Sequence, residues 1–403
     1  MVAADRSALP ALPTPNGDPM DVLVVNAGSS TLKLALLAAD DSVVEARELA
    51  APAGHAPPAD VRAAVAALLD RRRAAEPAGG SAGPLAVGHR IVHGGTEFVA
   101  PVRVDDAVAA RLAGLTALAP LHQPAALAAL DEMRAALPDA VQVACFDTAF
   151  HATLPPAAAT YAVPAAWRER YGIRRYGFHG LSHAHASGRA VELTATGGAG
   201  GARRVVTCHL GSGASLAAVR DGASVDTTMG FTPLEGLVMA TRSGDVDPGL
   251  LLWLQTEAGL GAQELTDALF HSSGLTALAG TADMRAIVER AGRREESAAL
   301  ALAVYLRRLR AGIVGMAAAL GGLDSLVFTG GVGERSAPVR AAAVAGLGFA
   351  GIEIDPARNL GHDAAAGGDT DISAAGAGVR TFVVTAREDL EIARGVREVL
   401  LGS

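Results

Sequence analysis

The sequence predicts an α/β protein built as two similar lobes. Three observations lead there. At 403 residues the chain exceeds what one hydrophobic core usually organises. Strand-like apolar runs alternate with alanine-rich stretches of helical spacing, the pattern of an α/β architecture. A strand, a Gly/Ser turn and a second strand also occur twice, as VVNAGSSTLKLAL and VVTCHLGSGASLAAV. This sets Gly28 opposite Gly211 and Ser29 opposite Ser212, with one residue inserted in the second turn. Such an internal duplication implies two lobes that each open with a glycine hairpin, and the hairpins can then face one another across a cleft.

In chain order, residues 1–20 mix Pro, Gly and acids without a continuous apolar run, and read as a disordered tail rather than a signal peptide. DVLVVNAG, TLKLALLA, LAVGHRIVH and VQVACFD read as strands, and 59–73, 105–119 and 124–136 as helices. A loop rich in Pro and aromatics (153–178) and the run GGAGGA (197–202) precede the second set of strands, RRVVTCHLGSG, ASLAAVRDG and ASVDTTMG. SLVFTGGVGER is a strand entering a helix, 299–322 a packed amphipathic helix, and EDLEIARGVREVL the closing helix.

Composition narrows the function. Half the residues are hydrophobic, 19% are charged and the net charge is −8, with no basic stripe for nucleic acid. Arg307, Arg308 and Arg310 interrupt the most apolar stretch, so no membrane span is expected. Only Cys145 and Cys208 are present, far apart and each inside a strand-like run. This excludes a disulfide framework and a CxxC metal pair, and suits a reducing, cytoplasmic setting.

The chemistry resides in the turns. Consecutive amides of a Gly/Ser turn can form an anion nest, although the same residues build any tight hairpin. Neither turn matches a Walker P-loop. Arg90 in VGHRIVHGG and Arg242 in MATRSGDVDPG read as strand-end arginines able to clamp phosphate oxygens, or simply to form ion pairs. Asp147 closes the strand VQVACFD and Glu388 opens the last helix. Both suit Mg²⁺ held through water and phosphates, and both also suit plain capping. In RRYGFHGLSHAHA, the glycine after His179 and the absence of a following Glu argue against a zincin pairing with His183. That leaves His179 as a loop histidine, either facing a phosphoryl group or satisfied structurally.

The ordered blocks NAGSSTLKL, GHRIVHGG, LAPLHQP, FDTAFH, YGFHGLSH, HLGSGAS, DTTMGFTPLEGLVMATRSGDVDPG, FTGGVGE and EDLEIAR resemble the acetate kinase family from about residue 21 to the C-terminus. More remotely they resemble the superfamily of acetate and sugar kinases, heat-shock chaperones and actin. The resemblance implies a duplicated ribonuclease-H-like (actin-like) fold, with a first lobe at 21–165, a second at 166–383 and a terminal helix at 384–403 returning to the first. It implies an interlobe nucleotide cleft, a homodimer formed through the second lobe, ATP as co-substrate and Mg²⁺, or Mn²⁺ in its place.

Carried over by motif, the resemblance assigns Arg90, Asp147, His179 and Arg242 to catalysis, and Asn26 and Glu388 to the metal. Asn26, Thr31, Lys33, His209, Gly211, Ser212 and Gly213 would handle phosphates, while Asp283, Arg285, Gly330, Gly331 and Gly333 would hold the adenosine. Val92, Leu121, Phe178 and Pro233, which read as plain core on their own, would receive a methyl group.

The implied reaction is direct, reversible in-line transfer of the γ-phosphoryl group to acetate, which needs no general base because a carboxylate is already ionised at neutral pH. Other readings are a kinase for propionate or another short acid, a non-kinase ATPase, and a sugar kinase, for which the polar residues of a sugar site are lacking. Three positions depart from the family pattern: Ser212 and Gln123 replace the usual Asn, and Asp389 replaces the usual second glutamate.

Overall fold

The computed structural model describes residues 20–28, 31–75, 85–120, 122–195 and 201–401. The expected tail up to residue 19, Ser29, Leu121 and most of GGAGGA therefore lie outside the described residues. Two compact units are present: one up to Phe150 together with Arg387 and the closing helix, the other His151–Ala386. The first boundary thus falls 15 residues earlier than the expected 165. His151 Nδ1 pairs with Ser224 Oγ at 2.8 Å and the Thr153 hydroxyl donates to Ser224 O at 2.8 Å, which ties 151–165 to the later strands. The expected loop 153–178 carries two short helices, Pro156–Ala159 and Ala165–Tyr171.

Among the described residues, twelve strands form two six-stranded sheets. In the first unit they are β1 (Asp21–Ala27), β2 (Thr31–Leu37), β3 (Val43–Ala50), β4 (Leu85–Ile91), β5 (Val102–Arg103) and β6 (Val141–Phe146), in the order β3-β2-β1-β4-β6-β5. The second unit holds β7 (Arg204–Leu210), β8 (Ala214–Arg220), β9 (Ala223–Thr227), β10 (Ser325–Thr329), β11 (Thr370–Asp371) and β12 (Arg380–Val383), in the order β11-β12-β10-β7-β8-β9. The two orders are the same once each strand is matched to its counterpart. In both units an antiparallel meander runs into parallel pairs, β1 with β4 and β4 with β6, β7 with β10 and β10 with β12.

The duplication is therefore structural, with one change in its register. Ala27 pairs with Leu32 and Leu210 with Ala214, so the strands leading into both turns are seven residues long and the extra residue falls in the first turn, not the second. Counting back from the turns makes Asn26 the counterpart of His209. Following the parallel registers outward makes Arg90 the counterpart of Thr329, and Asp147 that of Ala386.

Alternation along the strands decides what each face carries. Leu23, Val25 and Val87 pack with Val61, Val65, Leu68 and Met133 of the helices Pro58–Ala75 and Gln123–Ala136. The opposite face receives the closing helix Glu388–Leu401. Gly88 permits its approach: a Cβ there would stand 2.5 Å from Ile392 Cγ2 and 2.7 Å from Val396 Cγ2. In the second unit the long helix Glu296–Leu320 packs on β8, with Gly312 against Leu216, and stops at Gly321 in the left-handed conformation. The helix Gly180–Ala195 covers β7 from the side bearing Thr207 and His209.

Candidate active site

Asn26, Arg90 and Asp147 lie at the ends of the three neighbouring strands β1, β4 and β6, and each continues the face that carries the closing helix. Their side chains consequently meet one another and the first residue of that helix. Arg90 donates from Nη2 and Nε to Asp147 Oδ2 at 2.7 and 3.1 Å, and from Nη1 to Asn26 Oδ1 at 3.1 Å. Asn26 Nδ2 donates to Glu388 Oε2 at 2.8 Å, which lies 3.8 Å from Arg90 Nη1.

Burial pulls the Arg90 pKa down, and the Asp147 and Glu388 carboxylates more than offset it, leaving the guanidinium above its ordinary value. Asp389, in contrast, is held by its neighbour Arg387, whose Nε and Nη2 each lie 2.9 Å from one of its oxygens. Glu388 is thus the acid of this helix end that reaches the strand ends.

The second unit gathers histidines around the other glycine turn. His179 sits just before the helix Gly180–Ala195 at φ 56°, in the left-handed region, and its ring stacks on His209 with centroids 4.3 Å apart. His179 Nδ1 is 2.9 Å from Ser215 Oγ, and Ser182 Oγ is 2.8 Å from His209 Nδ1. A Cβ on Gly213 would stand 3.2 Å from His179 Nε2 and 3.6 Å from Arg242 Nη1, so both side chains converge on this turn.

Arg242 itself is not at a strand end. It belongs to the irregular segment after β9, whose Ala240 N donates to Ser212 O at 3.1 Å and so fastens that segment to the turn. Among the described residues its guanidinium donates only to neutral acceptors, Pro233 O at 3.1 Å and Met239 Sδ at 3.8 Å, and burial lowers its pKa.

Residues 21–394 match the acetokinase family. The chain belongs to that family. The acetate kinase of Deinococcus deserti is 44% identical, over 94% of this chain and 98% of that one. The acetate kinase of a Synechococcus species is 44% identical, over 95% and 100%. Two solved structures are similar over most of the chain. The acetate kinase of Porphyromonas gingivalis matches with a TM-score of 0.82 at 35% identity, covering 94% of this chain and all of that one. A propionate kinase from Francisella tularensis matches with a TM-score of 0.82 at 31% identity, covering 93% and 98%. The duplicated actin-like fold of this family is the fold found here.

The acetokinase motif residues fall into three groups by place. Direct hydrogen bonds join Asn26, Arg90, Asp147 and Glu388. Lys33 pairs across the strands with Asn26 on the same face and is exposed, and Thr31 is half-buried at the start of β2. His179, His209 and Arg242 gather around the second turn, which is formed by Gly211, Ser212 and Gly213.

The residues expected at the adenosine stand on other elements. Gly330 begins a short helix, Gly330–Arg335, at φ 79°, and its N–H donates to Glu334 Oε1 at 2.9 Å; Gly331 is exposed and Gly333 buried. Asp283 caps the helix Met284–Gly292 by accepting from Arg285 N at 2.9 Å. Val92, Phe178 and Pro233 are buried in their respective units.

Gln123 is fully buried, and its Nε2 donates to His93 O at 3.2 Å. The longer amide therefore serves the core here. Sequence reading passed over Ser215, although it stands in the quoted HLGSGAS, and over Tyr161 and Arg175, whose bonds to Glu235 fix the segment leading to Arg242.

Proposed function

We infer that this chain catalyses reversible transfer of the γ-phosphoryl group of ATP to acetate, giving acetyl phosphate and ADP. What carries the reading is Arg90, anchored between carboxylates at the strand ends of a chain that acetate kinases match almost end to end. Acetate is already a nucleophile at neutral pH, so the barrier to overcome is the approach of two anions. Arginines held in place before substrate arrives lower that barrier without rearranging in the transition state. We assign Arg90 and Arg242 to the carboxylate and the transferring phosphoryl group, and His179 to the same developing charge. Val92, Phe178 and Pro233 are our candidates for the methyl group.

The donor set of Asp147, Glu388 and Asn26 is made of oxygen ligands, with two carboxylates, which fits Mg²⁺ completed by water and phosphate oxygens. When bound, Mg²⁺ supplies neutralisation of phosphate charge. Asn26 and Arg90 orient the two carboxylates, and Arg90 remains a cation throughout.

We propose that the enzyme is a homodimer. The helix Pro248–Thr256 supports this, since it leaves Leu250, Leu252 and Trp253 46%, 63% and 56% exposed. No helix among the described residues is long and apolar enough to cross a membrane, and both cysteines are free and buried, in keeping with a reducing cytoplasm.

The test is incubation with Mg·ATP and a series of short carboxylic acids, trapping acyl phosphate with hydroxylamine. Acetate is expected to be the preferred acid. Preference for propionate would favour the function named for the Francisella structure, and no trapped product from any acid would sink the kinase reading.

A further inference from the structure

We propose that Ser215, His183 and Thr207 are positioning residues that hold the His179 ring as its Nε2–H tautomer, so that a hydrogen-bond donor faces the second glycine turn before substrate binds. The proposal rests on the reading of His179 as a group facing the transferring phosphoryl, and deepens it.

Four side chains form one line. His179 Nδ1 lies 2.9 Å from Ser215 Oγ, Ser215 Oγ lies 2.7 Å from His183 Nε2, and His183 Nδ1 lies 2.7 Å from Thr207 Oγ1. Ser215, His183 and Thr207 are fully buried, and they come from β8, the helix Gly180–Ala195 and β7, so packing fixes the line at three independent points. The Ser215 hydroxyl has one proton and two imidazole neighbours. It therefore accepts from one ring and donates to the other.

The direction turns on the far end. The Thr207 hydroxyl also has one proton, with His183 Nδ1 at 2.7 Å and Ala217 O at 3.5 Å, the outer limit of a hydrogen bond. The proposal places that proton on the short contact, which makes His183 Nδ1 an acceptor; donated to Ala217 O instead it would reverse the line and leave the His179 proton on Nδ1, the outcome that overturns the proposal. The buried ring is neutral, so its own proton sits on Nε2 and is donated to Ser215. Ser215 then donates to His179 Nδ1, and the His179 proton is left on Nε2. That edge is the one lying over Gly213, beside Arg242. Stacking on His209 fixes the remaining rotation of the ring. The donor is thus built into the fold and needs no proton from solution.

The experiment uses the full chain labelled with [¹⁵N]histidine. Two- and three-bond ¹H–¹⁵N correlations report which ring nitrogen carries the proton, and His179→Gln identifies the signal. His179 is expected as a single Nε2–H tautomer without substrate. Ser215→Ala is expected to give mixed tautomers and to lower kcat about 10- to 100-fold, with KM for acetate and ATP within about threefold.

Thr207→Val, three hydrogen bonds from His179, is expected to show the same spectral change with a smaller loss of kcat, and Thr207→Ser to restore both. This pair carries the test if Ser215→Ala does not fold. An Nδ1–H tautomer in the wild type overturns the proposal, as does Ser215→Ala or Thr207→Val with unchanged tautomer and kcat. The spectra are read without substrate, so a wild-type protein that phosphorylates no acid would defeat the proposed function and leave the tautomer result to be judged separately.

Discussion

Arg90 grips Asp147 with two of its nitrogens, Nη2 at 2.7 Å and Nε at 3.1 Å from one carboxylate oxygen, and turns the third toward Asn26. The carboxylate is 1% exposed and the guanidinium 16%. The contact is therefore part of the fold as well as of the proposed site.

Arg90→Ala is expected to lower turnover by about 10²- to 10³-fold, the size seen when one preorganised charge-stabilising donor is lost. It is also expected to cost on the order of 3 kcal/mol of stability, because it removes the guanidinium from a buried carboxylate. Adding Asp147→Ala should restore much of the melting temperature and none of the turnover. Calorimetry of the single and double variants checks this, and a double variant no more stable than the single would show that the pair does not support the fold.

Glu388→Gln keeps an oxygen for the Asn26 amide and loses the charge. The Mg²⁺ concentration for half-maximal rate should rise about 10- to 100-fold. Asp389→Asn should leave it unchanged, since that carboxylate is committed to Arg387. Magnesium titration of both variants separates the two acids, and equal shifts would refute the assignment.

Gly88→Ala would drive a methyl group into Ile392 and Val396. Lifting the closing helix should cost about 1 to 3 kcal/mol, the usual penalty for overpacking. Because Glu388 starts that helix, the magnesium requirement should rise as well. A destabilised variant with a wild-type magnesium titration would mean that the helix end is fixed independently of its seat on the sheet.

His89, His93 and His151 are buried, and burial lowers each pKa from 6.5 to about 4. These rings stay neutral in the folded protein at a pH where the unfolded chain already binds protons. Their contribution is whole above about pH 6.5 and is lost as the pH falls toward 4, by on the order of 1–2 kcal/mol per ring at pH 5. The melting temperature should fall between pH 7 and pH 5, and His151→Asn should flatten that slope. A slope unchanged in the variant would remove His151 from the account.

The sequence carried the positions of Asn26, Arg90, Asp147 and Glu388 as strand ends and a helix start, since apolar runs stop where backbone leaves the core. It did not show that the four share a face, because that depends on register between strands far apart in the chain. Arg242 lies in a stretch with no apolar period to read, and its place beside the second turn emerges only from the backbone bond of Ala240 to Ser212 and the approach of its guanidinium to Gly213. The strand β3 escaped notice because it is mostly exposed and carries Glu45, Arg47 and Glu48 among its eight residues. Ser215 escaped because a serine beside a glycine turn reads as turn chemistry, whereas its work depends on a threonine on the neighbouring strand and a histidine on a helix.

The repeated sheet makes the chain an internal control on itself. Asn26, Arg90 and Asp147 correspond by register to His209, Thr329 and Ala386, so the same three backbone stations have been furnished twice with different side chains. What distinguishes the charged strand ends of one unit from the uncharged hydroxyl and methyl of the other is then not architecture. Chemistry in this enzyme is a property of a few side chains placed on a scaffold indifferent to which of them it holds.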